Sequence, residues 1–599
     1  MNAKLINRRD LDFVLFELLE VEGLTRRRRY AEHSRETFAA ALDTAARIAG
    51  DKFAPHNRAA DQNEPRFDGE RVHMIPAVKE ALDAFIDAGF MAAGHDYELG
   101  GMQLPHTVAL ACNGLFKAAN VGTSGYPFLT VGNANLLLAH GTPEQIERYA
   151  KPELAGRYFG TMCLSEPQAG SSLADIRTSA RPLTDGRYRI KGSKMWISGG
   201  EHELSENIIH LVLARIEGAP PGVRGISLFI VPKFRINPDG STGPRNDVTL
   251  AGLNHKMGYR GTTNCALNFG ERDDCIGELV GEPHRGLACM FHMMNEARIG
   301  VGFGAVMLGY TGYLHALDYA RERPQGRHPG AKDPASPQLP IIAHADVRRM
   351  LLAQKAYVEG GLALCLTAAR LVDEQKTGES ERARREAGLL LDLLTPVVKS
   401  WPSQWCLEAN SLAIQVHGGY GYSREYPVEQ FYRDNRLNPI HEGTHGIQAI
   451  DLQGRKAVMD DGAGLRLLAR EIEATIAEAT AEADLREYSE ALAAALADLL
   501  ETTRILAAAQ ARDATAALAN ASAYLEMFGH TVLAWIWLRQ AVVAARALAR
   551  AGSAEHDFYR GKLAAARYFY RWELTKTRPQ HALLRSLDDS CLGMAAEWF

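Results

Sequence analysis

The stretch QVHGGYGYSREYPVEQFYRDNRLNPIHEGTHGIQ, residues 415–448, joins a glycine-rich turn to an acidic residue set between helix-breaking neighbours. Gly418, Gly419 and Gly421 have no Cβ atom, so the backbone there can take positive φ and come close to a bulky anionic ligand such as a pyrophosphate. We therefore predict that this segment contacts a phosphate-bearing ligand.

Glu442 is the acidic residue of that stretch. Pro439 before it and Gly443 directly after it both disfavour a continuous helix. The pattern predicts an irregular turn, where a carboxylate can point into a cavity. We therefore place the chemistry of the protein at this residue.

A zinc site is a competing hypothesis for the same residues. His441, Glu442 and His445 spell H-E-x-x-H, in which two histidines one helical turn apart bind the metal and the glutamate activates water. That arrangement needs an uninterrupted helix, and Gly443 and Pro439 weaken one. We therefore predict no metal site and interpret His441 as a packed neighbour of the acid.

In residue type, order and spacing, the stretch resembles the C-terminal signature of the acyl-CoA dehydrogenases, flavoenzymes that desaturate a fatty acyl thioester between its second and third carbons. The matching residues are Gln415, Gly418, Gly419, Tyr422, Tyr426, Pro427, Arg433, Asp434, Glu442, Gly443 and Thr444. The resemblance implies that Glu442 is the catalytic base and that Gly443 contacts the substrate. It also implies FAD contacts by Gln415, Gly418, Gly419 and Thr444.

Period-two alternation marks the segments around residues 187–200, 208–216, 225–234 and 263–271 as strands. Within this region, MCLSEPQAGSS (residues 162–172) and KMWIS (residues 194–198) again resemble the family. The resemblance implies that Leu164 and Ser165 contact the pyrimidine end of the flavin, that Trp196 covers the ring and that Ser198 bonds near N5. Ser171 would contact phosphate and substrate.

Helical periodicity covers the rest of the chain. In the helical part after the strands, Arg323 and Gln325 match the family's Arg-x-Gln, which reaches the cofactor pyrophosphate. Arg298 falls on the family's arginine near the substrate pocket. A planar guanidinium suits phosphate oxygens.

These patterns predict a mainly α fold with an inserted β-domain, as in the acyl-CoA dehydrogenases. We predict an extension (1–35), an N-terminal helical domain (36–158), a middle β-barrel domain (159–286), a C-terminal four-helix bundle (287–460) and an appended helical domain (461–599). The extension has an amphipathic pattern and is predicted to be a helix. The appended domain resembles the longer members, the group with 3-methylmercaptopropionyl-CoA dehydrogenase and bacterial fatty acyl-CoA dehydrogenases.

Composition indicates an ordinary soluble protein. The net charge of −5 gives no electrostatic footprint for nucleic acid or an anionic membrane. Eight cysteines without a CxxC pair suit a reducing compartment. The N-terminus lacks a signal-peptide core and the longest apolar run, residues 532–538, is too short to span a bilayer. We therefore expect a cytoplasmic protein with no membrane insertion.

The resemblance also implies the reaction and its partners. The base removes the α-proton of an acyl-CoA, FAD accepts the β-hydride, and a backbone N–H of the base with a ribityl hydroxyl polarises the thioester oxygen. Electrons would pass to an electron-transferring flavoprotein. Since Gln415, Gly418 and Gly419 contact a neighbouring subunit's flavin in the family, a homodimer or homotetramer follows. The substrate is a fatty acyl-CoA or 3-methylthiopropanoyl-CoA.

Two further alternatives use the same motifs. An acyl-CoA oxidase shares the base and the flavin but passes its electrons to oxygen. A flavin-bearing, DNA-binding relative would use the appended domain, although residues 461–599 contain 15 basic and 18 acidic residues. That balance argues against polyanion binding.

Overall fold

The computed structural model describes residues 4–330, 333, 335–550 and 552–599. The described chain forms two compact units. The first contains Arg35–Pro105 and Ala111–Gly300; the second contains Lys4–Ser34, His106–Leu110 and Val301–Phe599. Helices and a β-sheet make up the first unit, whereas the second is helical.

The helical part of the first unit matches the predicted periodicity. Its α-helices are Arg35–Ile48, Asn57–Gln62, Pro76–Asp87, His106–Ala119 (from Ala111 onward), Val121–His140, Pro143–Gln145 and Lys151–Leu154, with π-turns at Ala49–Phe53 and Ile146–Ala150 and 3-10 turns at Ala54–His56, Phe90–Ala92 and Tyr97–Leu99. Local sequence fixes their starts. The Asn120 side chain caps one helix by accepting the Thr123 N–H at 3.0 Å, and Thr142 with Gln145 forms a capping box for another.

Twelve strands are described, all in the first unit. They are β1 Arg66–Phe67, β2 Val72–His73, β3 Tyr158–Cys163, β4 Ser179–Pro182, β5 Tyr188–Ser198, β6 Asn207–Ile216, β7 Ile226–Pro232, β8 Phe234–Ile236, β9 Thr242–Arg245, β10 Val248–Leu253, β11 Asn264–Phe269 and β12 Ile276–Val280. The four predicted segments are confirmed as β5, β6, β7 with β8, and β11.

The main sheet closes on itself. Its order is β10-β11-β5-β12-β7-β6-β3, and β4 pairs with both β5 and β6. Strands β5, β12, β7, β6 and β4 therefore form a continuous ring of hydrogen-bonded neighbours, which removes free edges between them. Ala180, Ile190, Val212, Phe229 and Val231 are buried together on these strands. The predicted β-barrel is confirmed.

The bundle of the second unit is built on three long helices, Gly286–Glu322 (from Val301 onward), Ala345–Thr377 and Glu381–His417. Val428–Asn435 and His445–Asp451 follow, the latter continuing as the π-turn Leu452–Lys456. The first and third long helices pack closely where Gly302 meets the Val398 carbonyl, since a Cβ at residue 302 would overlap that oxygen.

The appended part of the second unit is also helical. Its α-helices are Met459–Thr480, Arg486–Gln510, Ala514–Leu518, Ala521–Leu548, His556–Tyr568, Thr577–Arg585 and Ser590–Gly593. The first is kinked, because residues 460–462 have left-handed φ and ψ. Shorter π and 3-10 segments of this unit are Ile341–Ala343, Gly418–Tyr422, Ala483–Leu485, Ser553–Glu555, Phe569–Glu573, Leu574–Lys576 and Ala596–Trp598.

The N-terminal extension is less regular than predicted. It starts as the helix Arg8–Asp12, continues as the π-helix Phe13–Leu18 and then changes to 3-10 segments at Val21–Arg26 and Arg28–Tyr30. The left-handed Glu20, with φ of 46°, ends the helical path. The prediction of a single helix is therefore correct only through Leu18.

Buried polar contacts hold the extension within its unit. The Asp10 carboxylate lies against the Lys562 ammonium and accepts a hydrogen bond from the Tyr310 hydroxyl at 2.8 Å. Further along, the Tyr30 hydroxyl donates to Asp373 at 2.8 Å. The extension is thus part of the core of the second unit.

One helix of the described chain, Ala521–Leu548, is long and apolar enough to cross a membrane by length and composition. However, 67% of its most apolar window is buried inside the protein. Among its side chains, Trp537 donates its indole N–H to the Ala356 carbonyl at 3.1 Å. Such contacts are typical of a helix in a protein core.

Candidate active site

Glu442 lies on the connection between helices Val428–Asn435 and His445–Asp451. Its φ is 55° and that of Gly443 is 93°, so two successive residues have left-handed backbone. Thr444 then caps the next helix, its hydroxyl accepting the Ile447 N–H at 3.4 Å. The predicted turn is confirmed, and a non-glycine residue with positive φ indicates a strained position.

Contacts from two helices fix this connection. The Gln448 amide donates to the Glu442 carbonyl at 3.1 Å, and the same amide would overlap a Cβ at Gly443. Lys399 donates to the Gly443 carbonyl at 2.7 Å and to the Asn438 carbonyl at 2.8 Å. The proposed base is therefore carried by an irregular but well-anchored backbone.

The H-E-x-x-H motif lacks the helix that a zinc protease needs. The helix begins only at His445, so the two histidines do not lie on one helical turn. Burial, with positive charge from Lys399 and Arg436, lowers the pKa of His445 to about 4. Among the described residues, no group of three or more His, Cys, Asp or Glu is placed to hold a metal ion. The zinc hypothesis is not supported by this geometry.

A cavity of about 700 Å³ lies in the second unit beside the glycine turn. Four residues predicted to bind the cofactor line it, namely Arg323, Gln325, Gly418 and Gly419. Aromatic side chains complete the wall: Tyr319 stacks on His417 with ring centroids 4.4 Å apart, and the Arg323 guanidinium lies 5.5 Å from the Tyr420 ring. Cationic, aromatic and glycine surfaces together fit a nucleotide bearing phosphates.

The three glycines of the turn have different roles. Gly418 has φ of 61°, and a Cβ on it or on Gly419 would meet no atom within 4 Å. A Cβ on Gly421 would instead overlap the Ile414 carbonyl. Gly421 is therefore needed for packing, and the prediction that it approaches the ligand is not supported.

Gln415 and Thr444 are not among the residues lining this cavity. Gln415 is exposed near the end of helix Glu381–His417, and the Thr444 side chain acts as a helix cap. Their predicted FAD contacts remain predictions.

In the first unit, the structure brings together the two motifs that resemble flavin-binding segments. The Lys194 ammonium donates to the Leu164 carbonyl at 3.0 Å and to Glu166 at 2.9 Å, and the Met195 N–H donates to the Ser165 carbonyl at 3.0 Å. Strand β5 therefore fixes the position of the Leu164–Ser165 turn.

The Lys194–Glu166 ion pair is fully buried. Burial alone would raise the pKa of Glu166, but Lys194, the Thr178 hydroxyl and the N–H groups of Arg177 and Thr178 together lower it to about 2. Burial lowers the pKa of Lys194, and the Glu166 charge offsets part of that effect. The Glu166 carboxylate is therefore ionised at neutral pH.

Trp196 and Ser198 lie at the end of β5. Trp196 has φ of 64° and leaves 62% of its surface exposed. The Ser198 hydroxyl accepts from the Asn264 amide at 3.1 Å. An exposed indole held by a strained backbone supplies a flat apolar face of the kind an isoalloxazine ring packs on.

The remaining two predicted site residues are also placed in the first unit. Ser171 is exposed on the loop after β3. Arg298 is 4% exposed on the helix Gly286–Glu322 and is thus a buried cation rather than a surface one. Their contacts with a ligand stay predictions.

Sequence reasoning missed Lys399, Lys194 and Glu166. In the sequence, Lys399 follows the apolar run LLTPVV, where a lone lysine is easily assigned to a solvent-facing position. Its signal was a charge within an otherwise apolar helical segment. Lys194 and Glu166 stood inside the two recognised motifs without an assigned role.

Four known domain families match most of the chain. Residues 35–157, 161–271 and 284–457 match the acyl-CoA dehydrogenase N-terminal, middle and C-terminal domains, and residues 468–595 match the acetyl-CoA dehydrogenase C-terminal-like domain. With the fold and the site described above, these matches define a flavoenzyme of the oxidoreductase class. The chain belongs to the acyl-CoA dehydrogenase family. It acts on acyl-CoA and its cofactor is FAD.

Similar proteins of comparable length are known. The chain is 38% identical to 3-methylmercaptopropionyl-CoA dehydrogenase of Ruegeria pomeroyi and 35% identical to the broad-specificity linear acyl-CoA dehydrogenase FadE5 of Mycobacterium tuberculosis, each match covering 98% of both chains. It is also 30% identical to the caffeyl-CoA reductase-Etf complex subunit CarC of Acetobacterium woodii, over 63% of this chain and 89% of that one.

Solved structures share the fold at low sequence identity. Caenorhabditis elegans ACDH-11, in complex with C11-CoA, superposes with a TM-score of 0.75 at 19% identity. The Bacillus anthracis acyl-CoA dehydrogenase complexed with FAD gives 0.74 at 18% identity. Both alignments cover 96% of this chain and 91% of the other. The predicted fold class is confirmed, including the appended helical part.

Proposed function

We propose that the protein converts an acyl-CoA to the trans-2-enoyl-CoA, with Glu442 as the base that removes the α-proton. The observation that carries the assignment is the local geometry of this residue. Glu442 and Gly443, in the connection between two helices, both have left-handed backbone. The carbonyl groups of these two residues accept hydrogen bonds from the Gln448 and Lys399 side chains. Fixed backbone of this kind is used to aim a catalytic group.

Proton removal and hydride removal are separate tasks in this reaction. The Glu442 carboxylate takes the proton from the carbon next to the thioester carbonyl, and the electron pair left behind forms the new double bond as the β-carbon loses a hydride. FAD, when bound, accepts that hydride. Arg323, Gln325, Gly418 and Gly419 are proposed to hold its phosphate-bearing part, and Leu164, Ser165, Trp196 and Ser198 its ring.

For the substrate we propose a straight acyl chain, either a fatty acyl group or 3-methylthiopropanoyl. Two relatives support this proposal, each similar to this protein over 98% of the chain. One is named for 3-methylmercaptopropionyl-CoA and the other for linear acyl-CoA. Gly443, Ser171 and Arg298 are the proposed substrate contacts. One methylene contributes only about 1–3 kcal/mol to discrimination, so a panel of chain lengths is required to separate the two.

An electron-transferring flavoprotein is proposed as the electron acceptor. The similarity to a subunit of a reductase-Etf complex supports this. Assembly as a homodimer or homotetramer is also proposed. The glycine turn lines a cavity, and a Cβ on Gly418 or Gly419 would meet no atom within 4 Å, so the turn leaves space for a group bound by a neighbouring subunit. We further propose a cytoplasmic location, which the eight free thiols suit.

The decisive experiment is anaerobic flavin bleaching. The purified FAD-loaded protein is mixed with butyryl-, octanoyl-, palmitoyl- and 3-methylthiopropanoyl-CoA, and loss of flavin absorbance is followed. Glu442→Gln is expected to retain FAD and bind acyl-CoA but to reduce the flavin at least about 1,000-fold more slowly. Glu429→Gln, a matched change on the preceding helix, is expected to bleach normally.

Normal bleaching by the Glu442 variant would remove this residue from the role of base. In turnover assays, the proposed acceptor predicts rapid reaction only when an electron-transferring flavoprotein or an artificial acceptor is added. Steady peroxide formation without one would instead show an oxidase.

A further inference from the structure

We propose that Lys399 is a positioning residue for Glu442, holding the catalytic connection in its reactive shape through both ends of the turn. This inference rests on the proposed function of Glu442. It concerns a side chain that lies on another helix, Glu381–His417, and that contacts the connection through its ammonium group.

The Lys399 ammonium bonds on either side of the base. It donates at 2.8 Å to the carbonyl of Asn438 and at 2.7 Å to the carbonyl of Gly443, so these two bonds bracket Glu442. The lysine side chain is fully buried. An apolar side chain at residue 399 would avoid the free-energy cost of burying an ammonium group. Positioning of the connection is a reason for that cost.

A buried chain of asparagines also contacts the connection. The Asn438 amide donates to the Asn435 side-chain oxygen at 2.8 Å, and the Asn435 amide donates to the Asn410 side-chain oxygen at 2.7 Å. All three side chains are fully buried. His441 lies 3.1 Å from the Asn438 side-chain oxygen, so the network reaches the residue next to the base. Fully bonded buried networks of this kind make a local structure rigid.

Rigidity is needed here because the backbone is strained. Glu442 has φ of 55°, a conformation that persists only where surrounding contacts impose it. The hydrogen bond from Lys399 to the Gly443 carbonyl acts directly after the strained residue. Without it, the turn can relax and move the carboxylate away from the substrate's α-carbon. A displacement of 1 Å in a catalytic group can lower the rate about 100-fold.

Lys399→Met tests the proposal, since methionine has similar length and no donor. The rate constant of anaerobic flavin reduction by the best acyl-CoA of the panel is expected to fall about 100-fold. The dissociation constant of acyl-CoA, the FAD content and the fraction of flavin that is finally reduced are expected to stay within about twofold of the wild type. A merely structural role would lower the reducible fraction and leave the rate constant of the folded molecules unchanged.

Lys456→Met is the matched control. Lys456 is also a buried lysine of the second unit, but its ammonium pairs with the Asp392 carboxylate. Its loss is expected to lower the thermal midpoint without changing the rate constant of flavin reduction. An equal loss of rate in this control would overturn the proposal.

Asn438→Ala provides a second route if Lys399→Met does not fold. It removes the side-chain bonds to Asn435 and His441 but keeps the backbone carbonyl that Lys399 contacts, and a fall in rate constant of about tenfold is expected. A wild-type rate constant of flavin reduction in either folded variant would contradict the positioning role of Lys399. It would leave the assignment of Glu442 as the base unaffected. Failure of the wild-type protein to bleach with every acyl-CoA tested would instead remove the function on which the role rests.

Discussion

Asp10 and Lys562, from opposite ends of the chain, form a fully buried ion pair within the second unit. The same ammonium lies 2.9 Å from Glu359 on the helix Ala345–Thr377 and 3.1 Å from the Gln540 side chain. Three segments distant in sequence therefore share one buried cation. Burial tends to raise the pKa of Asp10, as does the nearby Glu359 charge, and Lys562 opposes both effects.

The stability of the protein is expected to depend on the buried Lys562 ammonium. Lys562→Met leaves Asp10 and Glu359 buried without it, so the free energy of unfolding is expected to fall by about 3–5 kcal/mol. Urea unfolding followed by circular dichroism measures the change. Arg560→Met, an exposed neighbour on the same helix, is expected to unfold within about 0.5 kcal/mol of the wild type. Equal unfolding midpoints for the two variants would contradict the importance of the buried pair.

Flavin affinity is expected to depend on the buried ion pair between Lys194 and Glu166. Lys194→Met removes the donor to the Leu164 carbonyl and leaves the buried Glu166 without its cation, so the predicted ring-binding turn loses its anchor. The FAD dissociation constant, measured by fluorescence titration of the apoprotein, is expected to rise at least about tenfold. Lys191→Met lies on the same strand with an exposed side chain and is expected to bind FAD normally. Unchanged FAD affinity in both variants would refute this role.

Arg323 gives a prediction for the cavity of the second unit. Loss of a charge-assisted bond to phosphate costs about 1.5–3 kcal/mol, so Arg323→Met is expected to weaken FAD binding roughly 10- to 150-fold. Arg321→Met changes an arginine two residues earlier that is exposed near the helix end, and normal FAD affinity is expected. If the Arg321 variant alone loses FAD, the assignment of Arg-x-Gln to the cofactor is wrong.

His445 should make stability depend on pH. Its pKa is lowered to about 4 by burial and by the charges of Lys399 and Arg436, whereas an unfolded histidine has its ordinary pKa near 6.5. Between these values the unfolded chain binds more protons, so this residue makes stability increase as pH rises from 4 to 6.5. His445→Gln removes that contribution.

The expected change in slope is at most about 1.4 kcal/mol per pH unit, corresponding to one proton. Thermal midpoints of wild type and His445→Gln, recorded from pH 4 to pH 8, should differ in slope below pH 6.5 and run parallel above it. Parallel curves over the whole range would show that His445 is not held neutral.

Local patterns predicted much of the fold. Alternation over residues 187–200 and 208–216 corresponds to β5 and β6, because a strand places alternate side chains on opposite faces. Pro439 and Gly443 predicted the turn at Glu442, because proline and glycine restrict or widen the φ angles available at their own positions. These features depend on residues within one short segment.

Features that depend on distant contacts were not predicted. The pairing of β4 with both β5 and β6, which closes the barrel, joins segments whose match is set by packing rather than by local pattern. Lys399 belongs to the same class: its role depends on carbonyls at residues 438 and 443, and nothing in its own neighbourhood indicates them. The left-handed backbone of Glu20, which ends the helical part of the extension, was also not predicted.

The contact between Asp10 and Lys562 has a consequence for biosynthesis. At roughly 5–20 residues per second, a ribosome needs about half a minute to two minutes to reach residue 562 after it has made residue 10. Throughout that interval the apolar residue Phe13 has been synthesised, while the helix His556–Tyr568, whose Phe558 ring packs against it, has not. The contacts that bury Asp10 and Phe13 against this helix therefore cannot form until translation is almost complete.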